Sequence, residues 1–145
     1  MKIKTLILTV CLLLLVRVDV MAGDFTDNGD RTVTDDNTGL MWQQDEGGQK
    51  TWEDAIAYCE DLSLAVYTDW RLPNKKELKS ITDDTLNNPA IDKNFFPDAH
   101  ALFYWSSATY VNYSSYAWCV YFYDGYVYNF SKSYNLYVRC VRAGQ

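Results

Sequence analysis

The chain has 145 residues, 13 Lys and Arg against 19 Asp and Glu, a net charge of −6, and 16% aromatic residues. Such a length holds one ordinary domain. The acidic balance argues against nucleic acid, because phosphate-backbone binding draws on clustered Lys and Arg, and the one basic cluster, Arg71, Lys75, Lys76 and Lys79, reads as the solvated side of a helix.

Residues 1–22 read as a secretory signal and not as part of the fold. Lys2 and Lys4 precede an apolar run from Leu6 to Val16 that is short for a bilayer span, and Val20, Met21 and Ala22 place cleavage before Gly23. An uncleaved signal anchor is the alternative. The leucines around Cys11 are a poor setting for a lipid-modified cysteine. Residues 23–145 then form one exported domain of about 123 residues, with 10 basic and 18 acidic side chains and a net charge of −8. It is expected in the periplasm, at the cell surface or secreted, without stable membrane insertion. Three cysteines remain in it, Cys59, Cys119 and Cys140. An oxidising compartment lets one disulfide persist, and spacing alone leaves all three pairings open. Closing the loop from 59 to 140 would constrain the unfolded chain most. Zinc is the rival reading, but there is no Cys-x-x-Cys pair, and the single histidine, His100, falls in a loop. No metal and no cofactor are expected.

In chain order, FTDNGDRTVTDDNTGLMWQ, from Phe25 to Gln43, predicts short strands joined at Asn28-Gly29 and at Asp35 to Gly39. Asp27, Asp30, Asp35 and Asp36 invite a calcium reading, yet the ligand spacing of an EF-hand loop is missing and turn chemistry explains them. Thr51 and Asp54 open a first helix whose stripe, Trp52, Ala55, Ile56, Cys59 and Leu62, buries Trp52 and presents Cys59 on the same face. Asn74 with Glu77 opens a second, short helix with Leu78 and Ile81 inward and its lysines wet. From Thr85 to Ala101 no period persists, only Ile91, Phe95 and Phe96 among polar residues, so a long loop pinned by its aromatics is expected.

The stretch from Phe103 to Arg142 holds ten of the twelve tyrosines with six serines and three asparagines. Tyrosine gives a wide, stiff amphipathic ring at small entropic cost, and Ser and Asn give adaptable hydrogen bonding, which is the logic of a recognition surface. Asp124-Gly125 lies between two alternating runs and predicts a hairpin with a two-residue turn, pairing Tyr123 with Tyr126. Trp118, Val120, Phe122 and Val127 then share one face, expected to be the core, and Tyr121, Tyr123, Tyr126, Tyr128 and Phe130 share the other, facing solvent or a ligand. The alternative is that these rings pack beneath the Thr85 to Ala101 loop. Tyr137 to Arg142 alternates as a final strand with Val138 and Cys140 on one side.

FTDNGDRTVTDDNTGLMWQ, WEDAIAYC, TDWRLPNKKEL, FYWSS, AWCVYF and YVRCVR together resemble the Lcl C-terminal domain family, also called DUF1566, over nearly the whole of residues 25–142. The resemblance implies an α+β, C-type-lectin-like fold, related to formylglycine-generating enzyme domains, with two helices packed on a small twisted antiparallel sheet and long loops. It selects a disulfide between Cys59 and Cys140 and leaves Cys119 over. Val66 stands where relatives usually have glycine, which implies strain if that position needs a positive φ. The calcium-ligand phrases of sugar-binding C-type lectins are absent. Proteins of this fold include targets of diversity-generating retroelements. The composition between Tyr110 and Asn135 resembles such an outcome, with Asn112, Tyr113, Ser114, Tyr121, Tyr123, Tyr126, Tyr128, Asn129, Ser131, Tyr134 and Asn135 as candidate variable positions.

These readings point to a non-catalytic recognition or adhesion domain for a surface polysaccharide or protein, with Tyr113, Tyr121, Tyr123, Tyr126, Tyr128, Asn129, Tyr134 and Asn135 as ligand-binding residues. Lys132, Arg139 and Arg142 offer a local basic spot. The alternatives are an enzyme of formylglycine-generating type, prompted by Cys119, and a structural component of a cell-envelope assembly.

Overall fold

The computed structural model describes residues 24–144, so the expected signal segment, residues 1–22, lies outside the described residues. Three short strands open the chain: β1 (Phe25–Asp27), β2 (Thr32–Asp35) and β3 (Met41–Gln43). The first turn forms because the Asp27 carboxylate accepts the Gly29 amide at 2.9 Å and Gly29 takes a φ of 72°, a conformation that costs glycine nothing. In the second, the buried Asp35 accepts the Asn37 amide and the Thr38 hydroxyl. These aspartates are turn builders. After β4 (Gln49–Lys50) comes α1 (Trp52–Glu60), with Thr51 as N-cap accepting the Asp54 amide. α2 (Lys75–Ser80) starts with a complete capping box between Asn74 and Glu77.

The C-terminal half is strand-rich: β5 (Phe103–Thr109), β6 (Tyr116–Tyr121), β7 (Tyr126–Ser131), β8 (Leu136–Tyr137) and β9 (Val141–Arg142). The architecture is α+β with two sheets, where the sequence suggested one. Their orders are β1-β2-β3-β9 and β4-β8-β5-β6-β7. All pairs are antiparallel except β5 with β8, which run parallel. The expected last strand is split. β8 joins the larger sheet and β9 the smaller, and the chain between them is buried at Val138, Arg139 and Cys140.

Two apolar clusters hold the sheets and helices together. One gathers Val33, Trp42, Leu78, Ile81, Ile91, Phe96, Tyr104, Val120 and Phe122; the other gathers Ala55, Cys59, Trp70, Leu72, Trp105, Ala117, Cys119 and Val138. Tyr104 and Trp105 are sequence neighbours, as are Cys119 and Val120, so the clusters lie on opposite faces of the larger sheet. This corrects the expectation of a single core face: α2 and the segment 85–101 cover one side, and α1 packs on the other. Trp52 is half-buried, not buried. Its Nε1 donates to the Ser106 carbonyl at 2.8 Å, and the Lys132 ammonium lies 3.8 Å over its ring. Cys59 is disulfide-bonded to Cys140, tying α1 to the chain just before β9, as the resemblance implied. No described helix is long and apolar enough to cross a membrane.

Candidate functional site: an exposed aromatic face

The hairpin of β6 and β7 differs from its expected register. Tyr121, not Tyr123, stands opposite Tyr126, so Phe122 to Gly125 form a four-residue loop. The backbone explains it. Ala90 and Asn88 donate to the carbonyls of Phe122 and Tyr123 at 2.6 and 2.8 Å, and the Phe122 amide donates to Leu102 at 2.9 Å, so the segment 85–101 captures groups a tighter hairpin would have used. Gly125 closes the loop at a φ of 78°, where a Cβ would meet Lys79 and Thr82 at 3.2 Å.

The shift is two residues, and side chains alternate with a period of two, so the faces survive it. Tyr121, Tyr126, Tyr128 and Phe130 share a side with Phe103, which stands opposite Tyr121. Phe103 stacks on Tyr121 at 4.2 Å and meets Phe130 and Tyr128 edge-on at 4.7 and 5.6 Å. Tyr123 continues the stack on Tyr121 at 5.6 Å, and Tyr134 leans on Phe130 at 5.8 Å. Tyr123, Tyr126, Tyr128 and Tyr134 keep 44%, 67%, 42% and 59% of their surface exposed, so they are available to a ligand. The segment 85–101 does not cover them; it packs on the opposite side, over Tyr104 and Phe122. Phe103 and Phe130 belong to this face, and sequence reasoning did not name Phe103. Its place was signalled only by the cross-strand partner it acquires.

Three predicted residues lie elsewhere. Asn129 stands opposite Trp118, on the other face, and with Tyr110, Tyr113 and Tyr116 lines a shallow cup of about 290 Å³. Tyr113 contacts Tyr110 and Tyr116, and Tyr110 meets Trp118 edge-on at 4.9 Å, while Lys75 lies 4.2 Å over the Trp118 ring, so this lysine is not simply wet. Asn135 borders Phe103 and Tyr137 in a small groove beside the aromatic face.

The suggested basic spot does not form. Arg139 is fully buried, donating to the carbonyls of Gln43 and Gln44 and to Asp98 at 3.1 Å, with Nε left without a partner. Glu46 joins this group, its carboxyl pushed above the ordinary range by burial, and holds His100 Nδ1 at 2.8 Å. Arg142 pairs with Asp69 at 2.7 Å. Only Lys132 of the three stays near the aromatic surface, donating to Thr109. Cys119 is buried and unpaired, and burial pushes its thiol up to about 12. Asp24, Asp35, Asp83, Asp84 and Asp92 line a cleft of about 370 Å³. Asp24, Asp35, Asp83 and Asp92 accept hydrogen bonds from nearby chain and Asp84 from Lys79, and no described group of three or more His, Cys, Asp or Glu is placed to hold a metal ion.

No characterised protein matches the chain at a significant level. The family model of the Lcl C-terminal domain matches residues 31–142, which take in both helices and every strand but β1. With that match over most of its length, the chain belongs to the Lcl C-terminal domain family.

Proposed function

We propose that the domain is exported, non-catalytic and devoted to recognition, and that it binds a surface polysaccharide or protein through the aromatic face running from Phe103 to Tyr134. One observation carries this reading: Tyr123, Tyr126, Tyr128 and Tyr134 stay exposed on a connected set of rings whose half-buried members, Phe103, Tyr121 and Phe130, are anchored in strands. Rings fixed in this way lose little entropy on contact, and aromatic residues dominate the energetics of recognition surfaces. The commitment of Arg139 and Arg142 to Asp98 and Asp69 favours a neutral ligand over a polyanion.

The C-type-lectin-like reading of the fold rests on the motif resemblance and agrees with the helix-to-C-terminus disulfide. Diversification by a retroelement belongs to the same reading; it predicts a reverse transcriptase gene and a template repeat beside this gene. The enzymatic alternative needs a thiolate at Cys119. A buried thiol held near 12 stays protonated at neutral pH, so native protein is expected to resist thiol-labelling reagents until it is unfolded.

The deciding experiment exposes the refolded, oxidised domain to an array of glycans and bacterial surface proteins, beside a variant carrying Tyr121→Ala, Tyr123→Ala, Tyr126→Ala and Tyr128→Ala. The native domain is expected to bind and the folded variant to lose binding, at on the order of 2 kcal/mol for each ring that serves as a hot spot. Equal binding by both proteins would make the face a scaffold.

A further inference from the structure

A second aromatic feature lies on the other side of the larger sheet, where Asn129 stands opposite Trp118. Between β5 and β6 the chain makes two successive turns. The Tyr113 amide donates to the Tyr110 carbonyl at 3.2 Å and the Tyr116 amide to the Tyr113 carbonyl at 2.9 Å, while the Tyr110 amide closes the loop on the Tyr116 carbonyl at 2.8 Å. Turns of this kind bring side chains three residues apart to one side, and the three tyrosines at that spacing line one cup of about 290 Å³. Their ring centroids stand 6.0 and 5.9 Å apart, with planes tilted by 36° and 53°. Asn112 Nδ2 donates to Tyr110 Oη at 3.0 Å and fixes that ring. Asn129 completes the lining, and none of the four residues is charged. Backbone hydrogen bonds thus build the cup without a ligand.

Two properties of the cup select its occupant. The first is its poverty in hydrogen-bonding groups. A sugar ring brings several hydroxyls, each needing a partner on leaving water, and beside the phenols the cup offers only the Asn129 amide. A quaternary ammonium carries no N–H and asks only for aromatic faces within about 6 Å. The second is Lys75. Its ammonium lies 4.2 Å over the Trp118 ring, which Tyr110 meets edge-on at 4.9 Å, and among the described residues it has no carboxylate partner. A bare cation in the cup is repelled from that side, whereas an ammonium tethered to an anion is held at both ends. We infer that the cup binds the quaternary ammonium of a phosphocholine group, with the phosphate turned toward Lys75. A lipid headgroup and a phosphocholine-decorated polymer both carry that chemistry. The cup shares no ring with the exposed face on the other side of the sheet, so its failure would leave the recognition reading of that face standing.

Equilibrium dialysis of labelled phosphocholine against the protein purified after expression of the full chain tests the inference. Phosphocholine is expected to bind, and choline roughly tenfold more weakly because it lacks the anion. The carbon isostere of phosphocholine, with a tert-butyl group in place of trimethylammonium, has the shape without the positive charge and is also expected to bind roughly tenfold more weakly. Tyr113→Ala removes the central, exposed ring and should cost roughly tenfold in affinity, while Tyr113→Phe keeps the aromatic face and should retain binding. Lys75→Gln should abolish the preference for phosphocholine over choline, which a general loosening of the loop would not do. Circular dichroism establishes that each variant is folded. Vesicles distinguish the sources: capture on phosphatidylcholine but not on phosphatidylglycerol names a lipid surface, and binding of free phosphocholine without capture names a decorated polymer, either of which upholds the inference. A protein that fails to bind phosphocholine at millimolar concentration, binds the isostere equally well, or takes a methyl glycoside in its place overturns it. So does a preference for phosphocholine that survives Lys75→Gln.

Discussion

Two stacks of aromatic rings sit back to back on the same strands, built from adjacent residues. Tyr104 stacks on Phe122 at 4.0 Å and neighbours Tyr137 at 5.4 Å; Phe103 stacks on Tyr121 at 4.2 Å, and Tyr121 on Tyr123 at 5.6 Å. Ring geometry hardly separates them. What separates them is cover: Leu78 of α2, Ile81 at its C-cap, and Ile91 and Phe96 from the following loop lie over the first, whereas Tyr123 of the second stays exposed. Aromatic content therefore does not assign a ring to core or to surface. The chain that folds over it does.

Truncation is expected to break the pair apart most sharply. Phe122→Ala opens a cavity under the covering loop and should cost about 3–5 kcal/mol in urea unfolding. Tyr123→Ala, next in sequence, should stay within about 0.5 kcal/mol. A similar cost for both would mean that the exposed stack is also core.

Exposure alone does not make a residue neutral, and Val66 shows the distinction. It is 95% exposed, yet with Ala65 it forms a tight turn, the two at φ of 65° and 52°, while Leu64 and Tyr67 exchange backbone hydrogen bonds of 3.1 and 3.0 Å. Turns with positive φ at both central residues suit Asn and Gly, and a β-branched side chain is strained there. Val66→Gly is expected to stabilise the fold by about 1 kcal/mol, read as a higher urea midpoint with unchanged slope.

The smallest effect concerns the cover itself. Arg71 grips Glu77 with two hydrogen bonds of 2.8 and 2.7 Å and holds its carboxyl below the ordinary 4.5. A depressed folded value means the stabilisation is present above that ordinary value and is lost as the pH falls through the lower, folded one. Melting temperature between pH 6 and pH 3 should therefore fall more steeply for the native protein than for Glu77→Gln. The difference corresponds to about 1 kcal/mol or less, because the Arg71 side chain is 45% exposed and solvent screens the pair. Near-UV dichroism from the covered stack should report this loosening of α2.

What could be read from the sequence was local. Asn74 and Glu77 announce α2 because a capping box is complete within four residues, and the Thr51 cap announces α1 in the same way. Strand parity was legible for the same reason, so Tyr121, Tyr126 and Tyr128 were grouped correctly although the turn was misjudged by two residues. The misjudgement came from Ala90 and Asn88, some thirty residues away in sequence, whose amides no local pattern ties to Phe122 and Tyr123. Arg139 looked like a surface cation because its acceptors, at Gln43, Gln44 and Asp98, are brought to it only by the fold. Tyr113 and Asn129 share the composition of the face, which carries no information about side; the register sets Asn129 opposite Trp118, behind the face, and Tyr113 lines the same cup.

The bridge between Cys59 and Cys140, separated by 81 positions, also decides how the molecule carries tension. A pull applied before Cys59 and after Cys140 runs through α1, across the two sulfur atoms and out along β9. Everything between the cysteines hangs as a closed loop beside that line, including α2, the covering segment and strands β5 to β8. A domain anchored on one side and tugged on the other would thus keep its aromatic face unloaded while the covalent path bears the force.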